Sequence, residues 1–135
     1  MSSTNVLRYS GVVLWKVDLV LLQRRSLQAE SMPGGWGVFG GHIEGDESPI
    51  QTAVREIEEE LMIRLDPNNL KELGVIEIQR TISTYVTHYY SSELPVQLSD
   101  LSLREGIGMA LWAKKEVPLL HLAYEDLTAV MRHFE

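Results

Sequence analysis

A short acidic segment carries the residues whose chemistry is most distinctive. Between residues 40 and 63, seven acids surround a single arginine, Arg55. The acids are Glu44, Asp46, Glu47, Glu56, Glu58, Glu59 and Glu60. Clustered carboxylates repel one another, and the repulsion grows when they are partly buried. Hard divalent cations, which prefer oxygen ligands, relieve this repulsion when they bind between the carboxylates. The segment therefore predicts a site for Mg²⁺, with Mn²⁺ as the second choice. The alternative is a solvated acidic surface, which is the commoner meaning of a charge run.

The second half of this segment predicts a helix from Ser48 to about Met62. Ser48 suits the N-cap and Pro49 the first helical position. At about 100° per residue, apolar residues share one stripe of the helix and three acids share the adjacent stripe. The apolar residues are Ile50, Ala53, Val54, Ile57 and Leu61, and the acids are Glu56, Glu59 and Glu60. One flank of the helix would therefore pack while the next presents carboxylates.

The spacing of these residues resembles the Nudix box, the signature of the Nudix hydrolases, written G-x5-E-x7-R-E-U-x-E-E-x-G-U with U aliphatic. The matching residues are Gly41, Glu47, Arg55, Glu56, Ile57, Glu59, Glu60 and Ile63. The departure is Met62, where the pattern has a glycine that ends the helix in a left-handed conformation. We expect the helix to run slightly past Met62 until Asp66-Pro67 stops it, since a residue before proline avoids helical geometry.

The resemblance implies a set of metal ligands and a reaction. Glu56, Glu59 and Glu60 would hold the metal, and the carbonyl of Gly40 would join them. The expected activity is Mg²⁺-dependent hydrolysis of a phosphoanhydride bond in a small-molecule nucleotide, a nucleoside diphosphate linked to a group X. Nucleoside triphosphates and nucleotide sugars both fit this description, and the sequence does not identify X.

The resemblance also implies roles for residues around these ligands. Arg55 would hold a box carboxylate in position, with Glu47 beside it as a support or outer ligand. Glu105 resembles a further glutamate of Nudix proteins that completes the metal shell or acts as a base, although it could be an ordinary loop residue. The general base is therefore either Glu56 or Glu105. Arg24 is expected to contact the substrate phosphates, its alternative being a solvated strand end.

The rest of the chain predicts mostly β-structure. Short apolar runs rich in branched residues indicate strands over 6–16, 18–23, 36–39, 70–80, 84–91 and 107–112, and residues 124–134 form an amphipathic helical pattern. Because strands and helices do not alternate regularly, we expect an α/β sandwich with a mixed sheet and helices on both faces. The resemblance implies the same αβα sandwich. Tyr85, Tyr89 and Tyr90 could stack on a nucleobase, but strand aromatics are more often core residues.

Length, charge and composition limit the classes of function. A chain of 135 residues that is 44% hydrophobic is expected to form one globular domain, 1–135. It has no apolar run near the roughly 20 residues of a membrane span and no signal-peptide pattern, so we expect a cytoplasmic protein with no membrane partner. A net charge of -7 argues against binding nucleic acid, which requires clustered Lys and Arg. Cysteine is absent and the four histidines lack zinc-site spacing.

A second class of function stays open. A Nudix-like domain can bind a nucleotide and regulate without turnover, and its signature would be damage to the catalytic glutamates. Because Glu56, Glu59 and Glu60 are all intact, hydrolysis is favoured. The oligomeric state is undetermined from the sequence, and a homodimer stays open.

Overall fold

The computed structural model describes residues 5–104 and 106–135. Its strands are β1 (Asn5–Lys16), β2 (Leu19–Arg24), β3 (Trp36–Gly37), β4 (Phe39–His42), β5 (Lys71–Gln79), β6 (Ser83–Glu93) and β7 (Gly108–Ala113). Its helices are α1 (Pro49–Leu61) and α2 (Tyr124–His133), with short 3₁₀ turns at Pro67–Asn69, Leu98–Asp100 and Val117–Leu119. Glu105, expected from the sequence as a further catalytic or metal-binding glutamate, lies outside the described residues.

The strands form one mixed sheet in the order β3-β2-β1-β6-β5. Strands β1 and β6 are parallel over eleven registered pairs, from Asn5 with Ser83 to Trp15 with Glu93. The other pairs are antiparallel, including β4 against β1 and β7 against β2. The β1–β4 register sets Gly40 opposite Gly11 and Gly41 opposite Ser10. This pairing places the glycine-rich strand beside the middle of the sheet.

Side chains alternate between two cores because successive residues of a strand point to opposite faces. Val12 and Leu14 pack in a buried cluster with Ile57 and Leu61 of α1. Val13 and Val20 pack in the opposite cluster with Val130 of α2. The sheet is thus covered by a helix on each side, which confirms the expected α/β sandwich with a mixed sheet.

Helix α1 begins as the sequence predicts but ends earlier. The Ser48 hydroxyl accepts a hydrogen bond from the Gln51 amide at 3.1 Å, and the Gln51 side chain accepts one from the Ser48 amide at 2.8 Å. This reciprocal capping box fixes the start of the helix. The expectation that the helix runs past Met62 is wrong: the helix ends at Leu61, and Met62 adopts the left-handed conformation with φ of +61°. Its amide donates to the Glu58 carbonyl at 2.9 Å, so methionine takes the place usually given to glycine.

The three tyrosines of β6 have different surroundings. Tyr89 and Tyr90 are buried core residues, as the sequence favoured. Tyr85 is only partly buried and lines a cleft described below. Among the described residues, no helix is both long and apolar enough to cross a membrane.

Candidate active site at the glycine-rich strand

The acidic face of α1 meets the glycine pair of β4. Helix α1 packs on β1 and β4, and the Ser10 hydroxyl donates to the Pro49 carbonyl at 2.7 Å, which ties the start of the helix to β1. Near the other end of the helix, the Gly40 amide donates to Oε2 of Glu60 at 3.1 Å. Glu60 is only 3% exposed. These two contacts fix the helix against the sheet with a buried carboxylate at the junction.

Both glycines of β4 are required by close approach. Gly40 has φ of +154°, and a Cβ there would overlap the Ser10 carbonyl. A Cβ at Gly41 would overlap the carboxylate of Glu56. Because glycine has no side chain, it lets the backbone of β4 lie directly against the acids of α1.

Arg55 is the hub of the acidic segment. Its Nε and Nη2 donate to the two oxygens of Glu47 at 2.7 and 2.9 Å, which is a bidentate pair. Its Nη1 donates to Glu56 at 2.9 Å and lies 3.3 Å from Glu59. Its Nη2 also donates to the His42 carbonyl at 3.1 Å. The structure therefore brings Glu47, Glu56 and Glu59 together around one guanidinium.

This arrangement changes the proton affinities of Glu47 and Arg55. The hydrogen bonds from Arg55 lower the pKa of Glu47 to about 2, and a 2.9 Å bond from Thr52 Oγ1 adds to the effect. The hydrogen bond to Glu47 raises the pKa of Arg55 above its ordinary value. Each hydrogen bond is made between charged groups, so it stabilises the ionised forms of both Glu47 and Arg55. The pair consequently stays ionised at every pH at which an enzyme would work.

The chemistry of the expected ligands, as distinct from their present arrangement, suits a hard divalent cation. Glu56, Glu59, Glu60 and the Gly40 carbonyl offer only oxygen, which Mg²⁺ and Mn²⁺ prefer. The Glu56 carboxylate lies directly against the backbone of Gly41, where a Cβ would overlap it. Within residues 5–104 and 106–135, no three acidic or histidine side chains are arranged to hold a metal, and Arg55 is the cation that contacts Glu56 and Glu59.

A cleft of about 430 Å³ begins at this junction. Its box end is lined by Gly40, Gly41 and Glu60. Its floor is formed by residues of β1 and β6, among them Tyr9, Gly11, Tyr85 and Thr87. Its far wall is the first turn of α2, with Glu125 and Asp126. The volume lies within the usual range for small-molecule sites.

Sequence reasoning missed Glu125 and Asp126. Asp126 accepts a 2.6 Å hydrogen bond from the Tyr89 hydroxyl and a 3.2 Å bond from the Val38 amide. Enclosure by protein raises the pKa of Asp126 to about 6 despite these bonds. In the sequence the two acids are an ordinary feature of a helix N-terminus, where negative charge is favoured. Only the packing of α2 against β5 and β1 reveals them as part of a cleft.

Arg24 and Arg25 are adjacent in the chain but differ in their position relative to the cleft. Arg24, the expected phosphate contact, is exposed at the end of β2, and its Nε donates to the Gly34 carbonyl at 3.1 Å. It does not line the cleft, whereas Arg25 does. The Nε of Arg25 is held by the Ser31 carbonyl at 2.7 Å. Among the described lining residues, Arg25 is the sole lysine or arginine.

Fold and site together describe an α/β sandwich in which an acidic helix faces a glycine-rich strand at one end of a cleft. The sequence matches the NUDIX domain over residues 7–133. The chain therefore belongs to the Nudix family. No curated protein sequence matches it significantly.

Solved structures share the fold at low sequence identity. A MutT NUDIX hydrolase from Burkholderia pseudomallei superposes with a TM-score of 0.81 at 22% identity, covering 95% of this chain and 98% of that one. The E. coli ORF135 protein gives 0.78 at 21% identity, covering 97% and 90%. The NUDIX domain of Shewanella oneidensis NrtR, solved with ADP ribose, gives 0.75 at 20% identity, covering 99% and 88%. At these identities the likeness establishes the shared fold.

Proposed function

We propose that this protein hydrolyses a phosphoanhydride bond in a nucleoside diphosphate linked to X, with Mg²⁺ or Mn²⁺ as the metal. The observation that carries the proposal is the convergence of Glu56, Glu60 and the Gly40–Gly41 backbone at one end of an open cleft. Membership of a family that includes MutT-like hydrolases supports the same reaction class.

The chemical difficulty is to bring water to a phosphorus atom shielded by negative oxygens. A divalent cation held by Glu56, Glu59, Glu60 and the Gly40 carbonyl would neutralise that charge and make water more acidic. Glu56, or Glu105 beyond the described residues, takes the proton from the attacking water. Two carboxylates are candidates for this step, and a single substitution at each separates them.

Two arginines have distinct tasks in this proposal. Arg55 orients Glu47, Glu56 and Glu59, so it acts through carboxylates and stays away from the reacting atoms. Arg25 supplies positive charge inside the cleft, where a polyphosphate needs it because the chain as a whole is acidic. We therefore extend the expected role of Arg24, contact with the phosphates, to Arg25.

The size of the cleft supports a nucleotide substrate. The phosphates would lie at the box end near Glu60, and the nucleoside would extend across Tyr9 and Thr87 toward Asp126. Backbone and carboxylate groups at the box end, where a metal would bind, and aromatic rings along the floor suit a ligand that has both a phosphate chain and a planar group.

The test is a panel assay in which chromatography separates the nucleotide products, nucleoside mono- or diphosphates, and colorimetry measures any phosphate or pyrophosphate released from the triphosphates. The panel contains ATP, GTP, CTP, UTP, their deoxy forms, UDP-glucose and ADP-ribose, each with Mg²⁺, Mn²⁺ or EDTA. Turnover of at least one compound with metal, abolished by EDTA, is expected. Binding of nucleotides without turnover across the panel would instead favour a Nudix-like domain that binds a nucleotide and regulates.

A further inference from the structure

An ion pair joins the far wall of the cleft to the connection between β5 and β6. Arg80 lies between β5 and β6, and Glu125 lies in the first turn of α2. Nη1 of Arg80 donates to Oε2 of Glu125 at 3.2 Å. The Arg80 side chain is 47% exposed, whereas that of Glu125 is 12% exposed. The pair therefore joins two distant elements at the margin of the cleft, where solvent screens it only in part.

The same guanidinium covers an aromatic ring of the cleft floor. The Arg80 Cζ atom lies 5.0 Å from the centroid of the Tyr85 ring, within cation–π range. Tyr85 is in turn stacked on Tyr9, with ring centroids 6.0 Å apart and planes 19° apart. Both tyrosines line the cleft, whereas Arg80 does not. Arg80 thus contacts the floor and the far wall without being a lining residue.

The two oxygens of the Glu125 carboxylate differ in their surroundings. Oε2 is bound to Arg80, while Oε1 is shielded from solvent and has no hydrogen-bond partner within residues 5–104 and 106–135. A shielded acceptor without a donor is costly, and most such groups in proteins are satisfied. With Oε1 unpaired, the hydrogen bond from Arg80 to Oε2 is the polar contact that holds this side chain in place among the described residues.

We propose that Arg80 is a positioning residue for substrate binding. By holding Oε2 of Glu125 and the face of Tyr85 at once, it fixes the far wall of the cleft against its floor, so that a substrate meets a preformed surface there. This inference rests on the proposed function, because it requires a nucleotide in the cleft. It places a determinant of affinity at the end of the cleft opposite the Nudix box.

The test is the effect of Arg80→Ala on KM and kcat for whichever panel compound is hydrolysed. Without Arg80, Glu125 and Tyr85 lose the partner that fixes them, so KM is expected to rise about 3- to 10-fold, the cost of ordering about one side chain on binding. A preformed wall serves the ground and transition states equally, so kcat is expected to stay within about twofold. Arg80→Lys keeps a cation that can bind Glu125 and lie over the Tyr85 ring, so it is expected to restore part of the KM.

Two controls separate this role from a structural one. Arg64→Ala removes the same charge from an arginine that is 77% exposed, lies 4.0 Å from Glu58 and does not line the cleft, so its KM should not change. Glu125→Gln tests the route: if Arg80 acts through Glu125, the double variant should cost much less than the product of the two single effects. Thermal melts of each variant verify that the fold is retained.

Nucleotide binding measured calorimetrically in EDTA keeps the inference separate from the proposed function. If the wild type binds a panel nucleotide but hydrolyses none, the proposed hydrolysis fails, while a 3- to 10-fold rise in Kd for Arg80→Ala still supports the positioning role. Unchanged KM and Kd, a fall in kcat alone, or independent effects of Arg80 and Glu125 would overturn it. A wild type that neither binds nor hydrolyses any panel nucleotide overturns both proposals.

Discussion

The two ends of the cleft treat their carboxylates in opposite ways. At the box end, Arg55 donates to Glu47 through two nitrogens and holds the pKa of that carboxyl near 2. At the α2 end, Asp126 is enclosed by protein and bound to a tyrosine, and its pKa rises to about 6. The same functional group is therefore firmly ionised at one end and close to titration at the other. Local partners, more than residue type, decide what each carboxyl can do.

The largest effect is expected from a substitution at the box end, where it lowers the turnover rate. Glu59→Gln removes a proposed metal ligand while keeping the shape of the side chain, and we expect kcat to fall by about 10²- to 10³-fold because developing charge loses its stabilisation. Glu58→Gln is the matched control: Glu58 is the adjacent acid of α1, is exposed and lies outside the box pattern, so its kcat should stay within about twofold. Steady-state rates of the two variants with Mg²⁺ check the pair. Equal losses in both would show that general charge, and not the box position, matters.

The next effect is a pH dependence that originates at the α2 end. The pKa of Asp126 is raised from its ordinary 3.8 to about 6, so the folded chain binds its proton more tightly than the unfolded chain. The contribution of this proton to stability is complete below pH 3.8 and is lost as pH rises through about 6. With solvent in the cleft reducing the full value, the loss is roughly 2 kcal/mol.

Asp126→Asn removes this titration. Urea unfolding of the wild type and the variant, measured at several values between pH 4 and pH 7, should give a free-energy difference that shifts in favour of the variant by roughly 2 kcal/mol as pH rises. The comparison of the two proteins cancels the histidines, which titrate in both. A difference that does not vary with pH would mean that Asp126 has an ordinary pKa.

A third experiment examines the box end by the same measure. In Arg55→Gln the carboxyl of Glu47 loses its main partner, so its pKa should rise from about 2 toward 4.5. Because the pKa is lowered in the native chain, the associated stability is present above pH 4.5 and is lost as pH falls toward 2, and this loss should shrink in the variant. Carboxyl NMR titration reports the pKa of Glu47, with Asp126 as an internal reference that should not move, and urea unfolding between pH 2 and pH 5 reports the stability. If Glu47 still titrates near 2 in the variant, Thr52 and the backbone are its main stabilising partners.

What the sequence predicts well is what lies close together along the chain. The box acids, Arg55 and the start of α1 at Ser48 sit within one short segment whose periodicity and capping signals are local. The strands and the mixed sheet also follow from local patterns and their irregular order. The α2 end is different, because Asp126, Tyr89 and Val38 meet only through tertiary packing. Nothing in the residues around Glu125 or Arg80 indicates that they face each other across 45 positions.

The smallest effect concerns the one box position that departs from the pattern. Met62 holds a left-handed φ of +61°, which strains a residue that has a Cβ, and its side chain is 59% exposed. Met62→Gly relieves the strain in the folded chain but adds conformational freedom to the unfolded chain. The relief is the larger effect, so we expect the free energy of unfolding to rise by about 0.5–1 kcal/mol, or roughly 2–4 °C in Tm. Met62→Ala removes the contact between the sulfur and Arg104 without relieving the strain, and should not stabilise. If the alanine variant gains as much as the glycine variant, the cost lies in the methionine side chain and not in the backbone. The box end would then tolerate methionine where its pattern has glycine for reasons unrelated to helix termination.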